Sequence, residues 1–394
     1  MSEGTYSAVK TEGIRAETHW WGFRILLDHE GVENLDEIID DAEAVSQMLS
    51  AALSESGVGE VLEVVEWAIK LRWALTKAVA GSGGVKLTSP WIAPGMLIPT
   101  PMEDDAGDEH LYWAVHDGQK WSPDHKFTRV LSSDGGALAA FRGTLIAVHR
   151  GMDSDQRLLW TQYDGKGAWT EDTEIPGVTS LVRPALAVFR DKLYCVHRGN
   201  GDDQRLLWLT FDGTRWSEDR EIPGVTTAVS PALAAFGDKL YCMHRGHDGD
   251  ERLFWVTFDG TQWAEDQLIP GVTTGTGPGL AVFRDKLHCV HRGHGDDQRL
   301  FWLTFDDDKW SQDEVIPGLT TAADPALAVF NDQLYCAYRG QNGDERLMWT
   351  TFDGTKWDQD QQLPGITSRY SPTLVLYQDQ YAKAEHLACL HRGA

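Results

Sequence analysis

The chain has no apolar run approaching the roughly 18 residues that a single membrane-spanning helix needs. Its opening stretch, MSEGTYSAVKTEGIRAETHWWG, has no apolar core of the kind a Sec signal peptide carries. A soluble protein is therefore expected, cytoplasmic or released by a non-Sec route. Basic residues are scarce: 35 Lys and Arg stand against 60 Asp and Glu, for a net charge of −25. Such a surface repels phosphate backbones and anionic lipid heads, which excludes nucleic acid as an expected partner. Cysteine is limited to five residues, Cys195, Cys242, Cys289, Cys336 and Cys389. The first four fall at a constant interval of 47 residues, so each holds the same place in a repeat. Equivalent places in a repeat lie too far apart for disulfides or for a shared metal, and reduced, buried thiols are expected. No cofactor and no metal is expected. What is abundant is 17 Trp and 39 Gly, which suits aromatic-bearing strands joined by tight turns.

Residues 1–100 do not repeat. The segment 34–54 (NLDEIIDDAEAVSQMLSAALS) reads as one acidic amphipathic helix, and 60–80 as a second with Val61, Val64, Ala68 and Leu71 on one face. Before them His19 to Leu27 reads as a strand. After them come the joint Gly81-Ser82-Gly83-Gly84 and an extended, turn-rich stretch over 85–101. A small α+β domain is expected over 1–100, with a linker over 101–107. Trp20, Trp21, Trp67, Trp73 and Trp91 would suit either an ordinary core or a lipid interface, and the acidic balance opposes the second. The N-terminal domain is thus the place for a protein partner or a membrane surface, and homo-oligomerisation stays open.

From Asp108 onward the chain repeats. One unit reads PALAVFRDKLYCVHRGNGDDQRLLWLTFDGTRWSEDREIPG, and its copies begin at Pro231, Pro278 and Pro325. Four short strand candidates occupy each unit: PALAVF, KLYCVHRG, RLLWLTF and a strand around Trp216. Asp212-Gly213 is the hairpin signal between the last two. Four strands in a repeat of this length are the signature of a propeller blade. The third-strand Trp occurs at 113, 160, 208, 255, 302 and 349, and the fourth-strand Trp at 121, 169, 216, 263, 310 and 357. The first unit begins at its third strand and the last ends after its second. The two fragments complete one another, so the expected fold is mainly β: a six-bladed propeller over 108–394, closed by a blade shared between 108–123 and 372–394.

Three features recur in every unit and could carry binding. One is the third-strand tryptophan, Trp160, Trp208, Trp255, Trp302 and Trp349 with Trp113. Another is the loop aspartate, Asp108, Asp155, Asp203, Asp250, Asp297 and Asp344, followed two residues later by Arg157, Arg205, Arg252, Arg299 and Arg346, with His110 in place of the arginine in the first unit. The third is the Trp-x-x-Asp of the fourth strand. Arg150, Arg198, Arg245, Arg292, Arg339 and Arg392 end the second strand in His-Arg-Gly, or Tyr-Arg-Gly at 338. A pyranose offers an apolar face to an aromatic ring and paired hydroxyls to Arg with Asp or Glu. The same residues could instead build the blade, with Trp packed between sheets, Asp capping a turn and Arg reaching an acid of the next blade. The histidines fall one per blade, which suits hydrogen-bonded strand ends better than a shared metal.

The run Phe211-Asp212-Gly213-x-x-Trp216-x-x-Asp219-x-x-Ile222-Pro223, its copies, and the strand Pro184 to Phe189 resemble the PLL-like and fucose-lectin-like β-propeller lectins of bacteria and fungi, a group that includes the tectonin-type propellers. The resemblance spans about 108–394 and implies a propeller that binds glycans. Fucose-specific members pair an Arg with a Glu on adjacent strands. Trp208 stands where that Glu is expected, so fucose specificity is not carried over. The Ser-x-Asp-x-Gly-x-Thr-Trp boxes of six-bladed sialidases are missing, and near-identical blades favour repeated binding sites over one catalytic carboxylate pair. The expected function is multivalent, non-enzymatic glycan binding, with a protein-interaction scaffold or a lectin-targeted membrane-active toxin as the alternatives.

Overall fold

The computed structural model describes residues 14–19, 22–27, 29–39, 41–53, 69, 85–90, 98–101 and 109–394, apart from 153, 154, 164, 166, 167, 342 and 379–383. Two compact units divide the chain, Met1–Asp108 and Glu109–Ala394.

In the first unit, strands Ile14–His19, Gly22–Leu27, Val85–Pro90 and Ile98–Pro101 form one antiparallel sheet in that order. The segment expected as a single helix over 34–54 is two, His29–Ile38 and Ala42–Leu53. Asp41 causes the break. Its carboxylate accepts the backbone N–H groups of Glu43 and Ala44 at 3.0 and 3.1 Å, an N-cap that starts a new helix where the sequence pattern alone runs on. Ile25, Leu27, Leu35, Val45, Leu49 and Leu87 are buried and supply the apolar core. Val85 pairs with Pro101, so the start of the expected linker belongs to a strand. The helix expected over 60–80, Ile69 excepted, the joint at 81–84, the rest of the linker and the five tryptophans lie outside the described residues.

The second unit is the six-bladed propeller. Blade 1 joins Thr373–Gln378 and Glu385–Arg392, from the end of the chain, to His110–His116 and His125–Leu131. Blades 2 to 6 follow in sequence, with innermost strands Ala137–Phe141, Ala185–Phe189, Ala232–Phe236, Gly279–Phe283 and Ala326–Phe330. Each innermost strand contacts the next, and that of blade 1 contacts those of blades 6 and 2, which closes the ring. Alanine-rich innermost strands permit this approach around the axis. An apolar cluster fills the space between every pair of neighbours; between blades 3 and 4 it includes Tyr194, Val196, Leu206, Ile222, Cys242 and Phe258. All five cysteines are buried and unpaired there, and burial pushes their thiols up.

The fourth strand differs from expectation. Trp216 makes one isolated bridge with Phe211, and the outermost strand of blade 3 is Arg220–Thr226. A bulge there holds the Ile-Pro-Gly-Val run. Glu221 pairs with Leu207 and Thr226 with Arg205, so Ile222 to Val225 bulge opposite Leu206 alone. Gly224 adopts φ of 74°, Pro223 needs no ladder hydrogen bond, and Ile222 and Val225 both turn inward to full burial. The other five blades carry the same bulge, blade 1 with Phe127 and Val130 as its two buried residues and without the Pro-Gly pair.

Candidate functional site

The repeated polar residues gather on the face of the ring where the second strand turns into the third. The histidines there are fastened on both sides. In blade 3, His197 Nδ1 lies 3.3 Å from the Arg198 carbonyl and Nε2 lies 3.1 Å from Asp219, the aspartate of Trp-x-x-Asp. His149, His244, His291 and His391 repeat this with Asp172, Asp266, Asp313 and Asp124. Blade 6 substitutes Tyr338, whose hydroxyl donates to Asp360 at 2.8 Å. A hydroxyl that serves as well as an imidazole marks these positions as donors that tie the second strand to the outer loop. Among the described residues no group of three His, Cys, Asp or Glu could hold a metal ion.

The loop aspartate grips the arginine two residues later. Asp203 accepts the backbone N–H of Arg205 at 3.1 Å and both ends of its guanidinium fork at 2.9 and 2.8 Å. Asp155 with Arg157, Asp250 with Arg252, Asp297 with Arg299 and Asp344 with Arg346 do the same. These contacts hold the aspartates below the usual carboxylate range, Asp250 and Asp297 down to about 2. Gly199 makes the approach possible, since a Cβ there would come within 2.5 Å of the Asp203 carboxyl carbon. The sequence reading has the arginines reaching an acid of the next blade. They pair within their own, because Asp and Arg flank one tight loop at the head of the third strand.

Beyond that pair the blades diverge. Arg157 and Arg205 also donate to Glu174 and Glu221 on the adjacent outermost strand, each at 2.8 Å. The matching residues are Leu268, Val315 and Gln362 in blades 4 to 6 and Lys126 in blade 1. In blades 4 and 5 the guanidinium lies 5.3 Å over Phe254 and Phe301. The expectation of equal sites is thereby corrected: among the described residues only blades 2 and 3 set an Arg beside a Glu on adjacent strands. The sequence hides that pairing because Glu221 follows the Asp-Gly turn, whereas the family pattern directs attention before it. Each of these five arginines is about half exposed.

The arginines of His-Arg-Gly are more enclosed. Arg198 and Arg392 are 5% and 2% exposed. Arg150, Arg245 and Arg339 donate to the carbonyls of Leu181, Gly275 and Arg369 in the loops leading to the next blade. Arg198 and Arg292 donate to Gly201 and Gly295 in their own loops, and Arg392 to Glu109. Burial pulls Arg198 down despite the surrounding acids. Three of the six thus brace the loops between blades, and the other three brace groups of their own blade.

The third-strand tryptophans lie between blades. Trp208 is partly buried, nearly parallel to Tyr194 of its own sheet and 5.2 and 6.1 Å from Phe258 and Trp263 of blade 4. Trp160, Trp255, Trp302 and Trp349 repeat the arrangement against the following blade.

One polar cluster has no six-fold counterpart and stands by the innermost strands. Arg183 donates to Thr373 at 2.9 Å and to Asp324 at 3.1 Å, and its backbone N–H to Asp134 at 3.1 Å. Burial pushes the Asp134 carboxyl up. Arg183 and Asp324 stand where the repeat elsewhere carries Ser230, Gly277 or Ser371, Asp134 stands one place earlier, and no periodic pattern in the sequence points to them.

No protein-family model and no curated protein matches the chain. Among solved structures it is similar to the fucose-specific lectin from Aleuria aurantia at 12% identity, over 66% of this chain and 95% of that one, with a TM-score of 0.47. It is also similar to AofleA from Arthrobotrys oligospora at 10% identity, over 79% of this chain and 86% of that one, with a TM-score of 0.48. No residue role is carried across at such identities.

Proposed function

We propose that the propeller is a carbohydrate-binding module whose sites centre on the half-exposed arginines at the heads of the third strands. One observation carries this reading: Arg205, clamped by Asp203, presents its outer edge beside Glu221 on the neighbouring strand, and Arg157 with Glu174 repeats it one blade earlier. A guanidinium and a carboxylate side by side offer donors and acceptors to two adjacent hydroxyls, and the rigid sheet pre-orders both. The leucines in register with those glutamates, Leu159 and Leu207, add apolar surface for a sugar C–H face. Shallow sites of this kind bind weakly alone, and two in one chain gain from avidity on a glycan-coated surface. Binding without catalysis fits, because each candidate acid is already committed to an arginine. Residues 1–100 would then be a second module that the propeller delivers to glycosylated surfaces.

A glycan array probed with the full chain, followed by competition with the free monosaccharide, tests the reading. Binding that one sugar abolishes supports it. A blank array across several pH values and with or without Ca²⁺ sinks it.

A further inference from the structure

Blades 3 to 6 share a stacked pair of rings that blade 1 lacks. In blade 3 the Tyr194 ring sits among Phe189, Trp208 and Phe258 of blade 4, with centroids 5.8, 5.9 and 5.7 Å away. Tyr241 and Tyr335 lie on Trp255 and Trp349 at 5.7 and 5.5 Å, almost parallel, and His288 lies on Trp302. Blade 2 has Ile146 in this place. In blade 1 it is Ala388, opposite Val115 as Tyr194 is opposite Thr210. The counterparts of the three side chains around Tyr194 are Tyr377, Trp113 and Tyr163. All three line a cavity of about 510 Å³ between blades 1 and 2. Ala388 is not among its lining residues but is fully buried in the same apolar cluster as Trp113, Phe127 and Tyr377. Phe127 and Trp169 add two more aromatic walls, and Ser122, His125, Lys126, Thr170, Glu171 and His386 supply polar and charged groups at its edge.

We infer that this cavity is a binding site for one flat aromatic ring of about the size of a phenol, carried on a small molecule and taken up once per chain. The repeat itself shows the fit, because blades 3, 4 and 6 fill the equivalent nest with their own phenol. The volume falls in the range of small-molecule pockets, and cavities left by a missing apolar side chain take up rings of this size. Aromatic edges and faces favour a flat ring in offset or edge-to-face contact. The site is separate from the arginine sites proposed for sugars and stands or falls without them.

Titration of the full chain with p-cresol, followed by calorimetry and protein-observed NMR, tests the inference. Saturable binding at one site per chain is expected, lost in Ala388→Tyr, which restores the ring of blade 3, and unchanged in Ala388→Ser. If Ala388→Tyr does not fold, Ala388→Ile, which copies Ile146 of blade 2, should weaken p-cresol at least tenfold. No saturable binding up to the solubility limit overturns the inference. So does binding that the filling variants leave within twofold of the parent, several equal sites, or cyclohexanol binding as tightly as p-cresol.

Discussion

His391 and Asp124 stand 267 residues apart in sequence and meet at 3.1 Å inside one blade. The contact joins the second strand of blade 1, from the end of the chain, to the outer loop of the same blade, from the start of the ring. Every other blade makes the same link between residues about twenty apart. Only in blade 1 does it also hold the circle shut, together with the pairing of Glu385–Arg392 on His110–His116. A latch of this kind removes the exposed sheet edges that an open ring would present.

Removing the latch donor should therefore cost more than its hydrogen bond suggests in the intact ring. His391→Ala is expected to lower stability by about 2 kcal/mol, since it strips a buried donor from its carboxylate and leaves a void. His391→Tyr should restore most of that, because Tyr338 already serves Asp360 in blade 6. Thermal melts of the two variants decide the matter. Equal destabilisation by Ala and Tyr would show that the imidazole does something a hydroxyl cannot.

Gly199 offers a second test. A methyl group there meets the Asp203 carboxyl group at 2.5 to 2.8 Å, so Gly199→Ala must displace the aspartate and break its fork with Arg205. Overpacking of this kind costs about 1–3 kcal/mol. Asp203→Ala should cost less, and the double variant should fall short of the sum, because removing the carboxylate takes away the two nearest contacts and leaves only that with the Cβ of residue 203, at 2.8 Å. Strict additivity in denaturant melts would mean that the glycine serves another purpose.

The stability of the propeller should fall in acid. Asp259 and Asp353 each accept a threonine hydroxyl and two backbone N–H groups in the Asp-Gly turns, which holds them down to about 2. Arg252 and Arg299 hold Asp250 and Asp297 equally low. The unfolded chain regains the ordinary value of 3.8 and binds these protons first. The stability they contribute is thus present above about pH 4 and lost as pH falls toward 2. Asp134 has the opposite sign: raised by burial, its contribution is full in acid and declines as pH rises through its shifted value. The depressed aspartates outnumber it, so urea midpoints should drop between pH 4 and 2, and Asp259→Ala should shallow the drop. A midpoint that climbs on acidification would refute this.

The circle is legible in the sequence because its parts recur: six third-strand tryptophans and two fragments that complete one another leave one closed solution. The bulge after Trp216 is less so, since a pattern of period two ends at Pro223 and says nothing of a strand that resumes around it. Asp41 reads as part of a helix because a cap and an interior acid look alike until the backbone turns. Arg183, Asp134 and Asp324 occupy places where the repeat is irregular, and irregularity alone does not reveal that three such residues meet. Ala388 is visible as the one alanine in a column with three tyrosines. Its meaning appears only when Trp113, Tyr163 and Tyr377 are seen around one cavity.

The arginine heads distinguish the blades, and that difference makes the sugar reading testable one blade at a time. Arg157 and Arg205 have a glutamate beside them, whereas Arg252 and Arg299 face Leu268 and Val315. Loss of a charge-assisted hydrogen bond removes about 1.5–3 kcal/mol, or about tenfold or more in affinity. The pair Arg157→Ala with Arg205→Ala should therefore cut binding to a glycan surface at least tenfold. Arg252→Ala with Arg299→Ala should leave it nearly unchanged, because those guanidiniums have their clamping aspartates but no glutamate on the neighbouring strand with which to share a diol. Both pairs keep the third-strand tryptophans, so a common fall in melting temperature would reflect only the lost Asp–Arg fork and can be subtracted. Surface plasmon resonance on the glycan selected by the array reads the result. If the second pair abolishes binding and the first does not, the aromatic platforms of blades 4 and 5, and not the Arg–Glu pairs, hold the sugar.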